Sequence, residues 1–187
     1  MHALSHAPAR FSRPLCAALL FALASCSSSG VREVVLEPDA RFAWFQALEG
    51  TWMTTEDATD PGVEVRYRLT GGGTVVEETI APGTDGEMVT MIHPDGAGLV
   101  LTHYCAAGNQ PRMRAKPAAP REEEAEDLVD FRFTDGTNLG AGEAHMNRVV
   151  FRFLSSDHLH ATWILVQDGE ILETVSMDLV RKLSIGR

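Results

Sequence analysis

Residues 88–116 read MVTMIHPDGAGLVLTHYCAAGNQPRMRAK, and this stretch decides the fold class. Two runs of alternating apolar and polar residues flank a Pro-Asp-Gly turn at residues 94–96. This arrangement is typical of a β-hairpin in which each strand buries one face. A dense cluster of functional side chains follows the second run, from His103 to Met113. We therefore expect a β-domain in which one hairpin carries these groups to the end of a strand.

The same alternation extends outward over the rest of the chain. A short helix is predicted over Ala40–Leu48, with Asp39 as its N-cap, because an Asp side chain accepts an orphan backbone N–H. Short alternating runs between turn residues then predict ten strands. They are placed at 51–55, 63–69, 74–81, 87–93, 98–105, 111–116, 127–133, 145–154, 158–166 and 170–181. The fold class is thus predicted as an all-β antiparallel meander closed into a barrel, with an immunoglobulin-like sandwich as the alternative.

The last two hairpins predict which side chains face the interior. The first turn places Arg152 opposite His160. At the second, a three-residue connection with a bulge at Gly169 pairs Trp163 with Glu173, because a two-residue turn would scatter the apolar residues over both faces. Glu173 is then either a ligand contact or a rim residue that reaches water. The apolar face of the final strand carries Ile171, Val175, Met177 and Leu179.

Composition excludes one class of partner. The chain has 187 residues, enough for one domain with a real core, and a formal net charge of -10. Such an excess of negative charge repels phosphates, so we expect no nucleic-acid partner.

Of the three cysteines, Cys16 and Cys26 lie in the N-terminal segment, which leaves Cys105 alone and predicts no disulfide in the domain.

The N-terminal residues predict the cellular location of the protein and do not bear on its fold. Arg10 and Arg13 precede an apolar run at residues 15–23 that is too short to span a bilayer and has the layout of a secretory signal. Its end, Leu-Ala-Ser-Cys at residues 23–26, resembles the bacterial lipobox, in which the cysteine is lipidated and becomes the mature N-terminus. An ordinary signal peptide cut nearby is the alternative.

This reading predicts three parts of the chain. Residues 1–25 form a lipoprotein signal peptide, residues 26–38 a flexible tether after lipidation at Cys26, and residues 39–187 the barrel domain. By resemblance to bacterial sorting signals, Ser27 after the cysteine indicates the periplasmic face of the outer membrane.

Two segments carry a resemblance to known families. The start Phe45…Leu48-Glu49-Gly50-Thr51-Trp52 before a β-meander resembles the calycin group, which includes lipocalins, fatty-acid-binding proteins and nitrobindin-like barrels. Residues 102–105 and 108–113 resemble an uncharacterised bacterial lipocalin-like family, and the resemblance covers residues 42–183. It implies a cavity for a small molecule.

The resemblance raises the question of whether this barrel binds haem. Nitrobindin-like barrels hold haem through a histidine late in the barrel. Here His158 and His160 fall on the polar face, and Arg152 opposite His160 disfavours a metal cation. We therefore expect no cofactor, with haem as the alternative.

The candidate site combines the polar cluster with residues of the last strands. The expected ligand-binding residues are His103, Cys105, Asn109, Gln110, Arg112, Trp163 and Glu173. His103 and Cys105 share a strand face and could hold a metal with a further histidine, or act as base and nucleophile. The alternative is a histidine that lines the barrel beside a buried free cysteine. Arg112 could pair with a ligand carboxylate, whereas Asn109 and Gln110 are equally suited to holding their own loop.

The predicted function is that of a lipid-anchored envelope protein whose barrel lumen binds a small, largely apolar molecule. Membrane contact is expected only through the lipid anchor, and no catalytic residue is assigned. Two alternatives remain open. One is an enzyme or a metal-binding or haem-binding barrel that uses His103 and Cys105. The other is a structural envelope-interaction protein with a solid barrel.

Overall fold

One short helix precedes ten strands in the computed structural model, which describes residues 39–55, 62–116 and 127–182. Helix α1 spans Phe42–Gln46, and a single 3₁₀ turn spans Gly71–Gly73. The strands are β1 Gly50–Thr54, β2 Glu64–Thr70, β3 Val75–Ile80, β4 Met88–Asp95, β5 Gly98–Tyr104, β6 Gln110–Ala115, β7 Leu128–Thr137, β8 His145–Ser155, β9 His158–Gln167 and β10 Glu170–Arg181.

All described residues belong to one of two units, Val35–Arg187, and the other unit, Met1–Val34, lies outside them. The predicted signal peptide, the tether and Cys26 therefore fall outside the described residues. Within the described ranges, no helix has the length and apolar character needed to cross a membrane.

The strands close into an antiparallel barrel. Each strand pairs with its neighbours in sequence, and β1 also pairs with β10, which completes the ring. The predicted closed meander of ten strands with a short N-terminal helix is confirmed. Strand ends lie within two residues of their predicted positions, except that β7 continues to Thr137 instead of ending at residue 133. Closure leaves no sheet edge exposed, so the apolar faces of all ten strands share one interior.

The register between β9 and β10 differs from the prediction. The connection is a two-residue turn in which Asp168 and Gly169 both have positive φ, 51° and 84°, as tight hairpins require. An irregularity between Ile171 and Glu173 then shifts the pairing, so Trp163 faces Val175 and not Glu173. After the bulge, Val175, Met177 and Leu179 lie on the inner face. The wider turn was predicted because it gives these residues the same face. Ile171, predicted on the apolar face, is 66% exposed.

The helix is shorter than predicted, but Asp39 makes the predicted capping contact, a hydrogen bond from an orphan backbone N–H to its side chain. The Asp39 carboxylate accepts hydrogen bonds from the backbone N and Nε of Arg41, at 3.0 and 2.9 Å. Arg41 occupies the N-cap position without a side-chain cap. Its guanidinium also donates to the carbonyl of Lys116, just after β6, at 2.9 Å. The Asp-Arg pair therefore fixes α1 against one end of the barrel instead of lengthening the helix.

Aromatic side chains fill the barrel end beneath α1. The ring of Phe45 meets those of Phe131, Phe151 and Phe153 nearly edge-on, with centroids 5.9, 5.3 and 5.2 Å apart. Each such pair contributes about 0.5–1.5 kcal/mol beyond the area it buries. This end of the barrel is therefore a packed core.

Arg181 of β10 joins the end of the barrel to the helix. Its guanidinium carbon lies 4.4 Å from the centroid of the Trp52 ring. It also donates to the carbonyls of Ala47 and Glu49, at 2.7 and 2.8 Å. Gly50 passes so close that a Cβ there would lie 3.1 Å from this guanidinium, and its φ of 136° also favours glycine. The Arg181 side chain thus packs against Gly50 and Trp52 of the Gly-Thr-Trp element.

Candidate functional site

A cavity of about 290 Å³ lies at the barrel end opposite α1. Helix α1 sits where β2, β6 and β8 end, since Gln46 donates to the carbonyl of Gly73 at 3.0 Å. The cavity instead lies where β1, β3 and β5 end. Its apolar lining residues are Val63, Ile80, Ala81, Met88, Met146, Val175 and Met177. Its other lining residues are Thr54, His103, Trp163 and Ser176.

His103 is more deeply buried than Thr54, the other buried polar residue of this lining, with only 1% of its surface exposed. It lies near the end of β5, where alternation turns it inward with Leu99 and Leu101. Its Nδ1 lies 3.0 Å from Oγ1 of Thr90, whereas Nε2 has no hydrogen-bond partner among the described residues. Burial lowers the pKa of His103 to about 4, so the imidazole is neutral at physiological pH.

Trp163 packs beside His103. The two ring centroids are 4.7 Å apart, and Trp163 is 2% exposed. The indole Nε1 is buried, and no acceptor for it occurs in the part of the chain that the structure describes. Indole nitrogen is a donor only, so its N–H remains to be satisfied by something other than these residues. Two unpartnered ring nitrogens therefore belong to neighbouring residues that line the cavity.

A row of polar side chains continues from His103 across adjacent strands. Thr90 is the register partner of His103, Glu78 is the partner of Thr90, and Tyr67 is the partner of Glu78. All four residues are buried. The Tyr67 hydroxyl donates to Oε1 of Glu78 at 2.7 Å, while Oε2 finds no partner within the described ranges. This row is a line of buried polar side chains that crosses the four adjacent strands β2 to β5.

Glu78 is the unusual member of the row because it is a fully buried carboxyl group. Burial raises its pKa above the ordinary value of 4.5, and hydrogen bonding with Tyr67 and Thr90 only partly opposes this. Burial also raises the pKa of Tyr67, and the adjacent Glu78 adds to that effect. The site therefore favours uncharged forms of both groups.

Sequence analysis missed Glu78, Thr90 and Tyr67. A signal for Glu78 was present, because in the run Val75–Ile80 it shares its face with Val76 and Ile80. An acidic residue between two inward apolar neighbours is a candidate interior carboxyl. Its neighbour Glu77 is the outward residue and pairs with Arg68 at 2.6 Å.

Two of the seven predicted site residues, His103 and Trp163, line the cavity. The others lie elsewhere. Glu173 is exposed, as the rim interpretation of this residue expected. Arg112 lies on the outer face of β6, where it pairs with Asp135 at 2.9 Å, and both side chains are about half exposed. Alternation explains this, because Pro111 and Met113 on either side of Arg112 are buried.

Cys105 and Asn109 lie in the turn between β5 and β6 at the cavity end of the barrel, and Gln110 is the first residue of β6. The backbone N–H of Cys105 donates to the carbonyl of Asn109 at 3.1 Å. Asn109 Nδ2 donates to the carbonyl of Ala144, and Gln110 Oε1 accepts from Thr137 Oγ1, at 2.9 and 2.7 Å. These contacts hold the turn against the end of β7 and the loop after it. Asn109 and Gln110 therefore act as the alternative interpretation expected, by holding their own loop. Cys105 is half-buried and unpaired, and it does not line this cavity.

The described residues contain no group of three His, Cys, Asp or Glu side chains that could hold a metal ion. The late histidines lie on the outer face, as predicted, where His158 and His160 flank Oδ1 of Asp178 at 3.2 and 3.1 Å. The hydrogen bond with His160 is the main cause of a lowered pKa for Asp178. These histidines therefore form a hydrogen-bonded cluster with Asp178 on the outer face, away from the cavity.

No protein-family model matches the chain, and no curated protein matches it either.

Proposed function

We propose that the barrel binds a small, largely apolar molecule in the cavity at the end opposite α1. The observation that carries this proposal is a lined space of about 290 Å³ with mostly apolar walls. At about 30 Å³ per non-hydrogen atom, the share of a water molecule in the liquid, it holds about ten such atoms. It lies near the lower limit of ligand pockets, so the proposed ligand is small.

Two other hypotheses fit the cavity less well. A solid barrel would have side chains packed through its whole interior, as they are beneath α1, rather than a lined space at the other end. An enzyme using His103 with Cys105 needs the two groups at one place, yet only His103 lines the cavity. We therefore favour binding over catalysis.

We also propose that the domain is a calycin-like barrel anchored at the periplasmic face of the outer membrane through lipid on Cys26. The Leu-Ala-Ser-Cys sequence at residues 23–26 supports the anchor. Metabolic labelling with a radioactive fatty acid should label the full chain but not a Cys26→Ser variant. Label retained by that variant, or wild-type protein in the soluble periplasmic fraction, would refute the anchor.

The binding proposal is tested with naphthylamine, a neutral fluorescent dye of about ten non-hydrogen atoms that matches the cavity. Its emission should rise on binding and fall again when decane displaces it. The variant Val175→Phe places extra volume in the cavity, and Ile171→Phe is the matched control because Ile171 lies on the same strand but is 66% exposed.

Val175→Phe should weaken dye binding about tenfold or more, since overpacking a site costs 1–3 kcal/mol. The control should bind the dye as the wild type does. Loss of binding in both variants, or in neither, would place the dye elsewhere and count against the cavity. Native mass spectrometry of protein purified from its own host should also show a retained small molecule.

A further inference from the structure

We propose that the ligand is electrically neutral and carries an oxygen that accepts a hydrogen bond from the indole N–H of Trp163 beside His103. The chemical class is thus a small ketone, ester or comparable neutral oxygen compound, rather than a fatty acid or another anion. This inference rests on the proposed function and deepens it by naming what the cavity recognises.

The first support is the unsatisfied hydrogen-bonding capacity at the wall. Trp163 Nε1 and His103 Nε2 are both buried, and the described residues offer neither of them a partner. Such orphans are rare in folded proteins because a buried donor loses its bond to water. Trp163 is the decisive one of the two, because indole only donates and so requires an acceptor. The Trp163 ring lines the cavity while Nε1 itself is shielded, so a ligand oxygen reaches this N–H by displacing a neighbouring side chain and then supplies the acceptor.

His103 adapts to the same oxygen. Its Nδ1 bonds with Thr90 Oγ1, and a hydroxyl can donate or accept in that bond. When Thr90 donates, Nε2 carries the proton and becomes a second donor toward the ligand. When Thr90 accepts, Nε2 is itself an acceptor, suited to a ligand hydroxyl. Trp163 requires an oxygen acceptor in either case.

The second support is the absence of a counter-charge for an ionised ligand. The cavity-lining residues that the structure describes include no Arg, Lys, Asp or Glu. Arg112, which sequence analysis offered as a carboxylate partner, lies on the outer face with Asp135. The buried acidic residue nearest in the register, Glu78, carries the wrong charge for an anion whenever it is ionised. A buried carboxylate or phosphate would therefore lose its hydration without compensation.

Three probes of similar size separate these possibilities: nonanone (a methyl ketone), octanoate and decane, each with about ten non-hydrogen atoms. Affinities for the full domain at pH 7 are measured by displacement of naphthylamine. The informative variant is Trp163→Phe, which keeps an aromatic ring at that position and removes the N–H. A second readout needs no variant. The indole N–H signals of Trp44, Trp52 and Trp163 are followed by NMR, with Trp52 as the internal control because its Nε1 already donates to Leu48 at 2.8 Å.

We expect octanoate to bind at least about tenfold more weakly than nonanone, because its charge has no partner. Trp163→Phe should weaken nonanone binding about two- to tenfold more than decane binding, the range for one neutral hydrogen bond, because the change in ring size affects both ligands whereas the lost N–H affects only nonanone. Nonanone should move the Trp163 indole signal downfield, whereas decane should not produce that shift.

Each contrary result overturns either the neutral-oxygen inference alone or the proposed function as well. Octanoate that binds as well as nonanone, or an unshifted Trp163 signal with nonanone bound, overturns the neutral-oxygen inference while leaving the apolar cavity intact. An equal effect of Trp163→Phe on nonanone and decane does the same. If neither decane nor nonanone binds the wild type, the proposed function itself fails and the inference fails with it.

Discussion

The hydroxyl of Thr90 lies 3.0 Å from Nδ1 of His103, and this pair joins the cavity wall to the buried carboxyl group of Glu78. Both Thr90 and Glu78 are completely shielded from solvent. The buried row makes stability depend on protonation, because His103 and Glu78 have different affinities for protons in the folded and unfolded states.

The first prediction concerns acid. The unfolded chain protonates His103 near its ordinary pKa of 6.5, whereas burial holds the pKa at about 4 in the fold. Folding stability is therefore full above about pH 6.5 and falls as the pH drops toward 4, by about 3 kcal/mol from this residue. His103→Gln should lose that part of the acid dependence in denaturant titrations across this range.

The control for this prediction is His158→Gln, because the His158 side chain is 42% exposed on the outer face. It should retain the acid dependence of the wild type between pH 6.5 and 4. An acid slope that is equally steep in His103→Gln and the wild type would show that His103 is not a buried neutral histidine.

The second prediction concerns Glu78 and has the opposite sign. Burial raises its pKa, so the folded state holds the proton more tightly than the unfolded state does. Its contribution is full below the ordinary value of 4.5 and is lost as the pH rises through the folded pKa. Glu78→Gln keeps an acceptor for Tyr67 and removes this loss. Its stability relative to the wild type should therefore increase with pH in urea titrations.

The exposed Glu173→Gln is the matched control for Glu78→Gln and should show a nearly constant difference from the wild type. A pH-independent difference for Glu78→Gln would mean that the Glu78 carboxyl binds protons equally in the folded and unfolded states. That result would refute the raised pKa of Glu78.

The third prediction concerns Arg181. Replacing it by Met removes the charge over Trp52 and leaves the carbonyls of Ala47 and Glu49 without this donor. We expect a loss of about 2 kcal/mol or more in the free energy of unfolding. Arg112→Met is the control, because its ion pair is about half exposed and should cost less than about 1 kcal/mol. Equal losses in guanidinium denaturation would contradict the anchoring role of Arg181.

The fourth prediction concerns the outer face. Asp130 contacts Arg148, Arg132 and Lys116 at 2.7, 3.2 and 3.7 Å, and Arg132 lies directly opposite Arg148 in the register. Burial alone would raise the pKa of Asp130. Hydrogen bonds and charge interactions with Arg148 and Arg132 outweigh burial and hold that pKa below its ordinary value. Asp130→Asn leaves like charges facing each other and should destabilise the fold.

Salt distinguishes that repulsion from a packing defect. Added NaCl screens charges, so it should recover part of the stability lost in Asp130→Asn when thermal melts are compared at low and high salt. The variant Asp135→Asn, which breaks an exposed pair, should show little loss at either concentration. A loss in Asp130→Asn that salt does not reduce would indicate that charge repulsion is not its cause.

The strands could be predicted from sequence because alternation is a local property that does not depend on the partner strand. It placed Phe151 and Trp163 inside and His160 outside, as the structure has them. The pairing of Trp163 could not be predicted, because a two-residue turn followed by a bulge gives the same alternation as one wider turn.

The candidate site was harder to predict because residues that are close along the chain need not be close in space. Cys105 and Arg112 are near His103 in sequence, yet one begins a turn and the other faces outward. Thr90 and Glu78 are its neighbours through strand pairing, and only a correct register brings them together. The interior position of Glu78 was readable from alternation, whereas its contact with Tyr67 was not.

The most direct test of the central claim locates the ligand with methionine methyl groups. Met88, Met146 and Met177 line the cavity, while Met113 is buried elsewhere in the core. In NMR spectra of protein labelled with ¹³C at the methionine methyls, titration with decane should shift the three cavity signals and leave that of Met113 in place. Unchanged cavity signals at saturating decane, or shifts confined to methionines outside the cavity, would contradict the binding site.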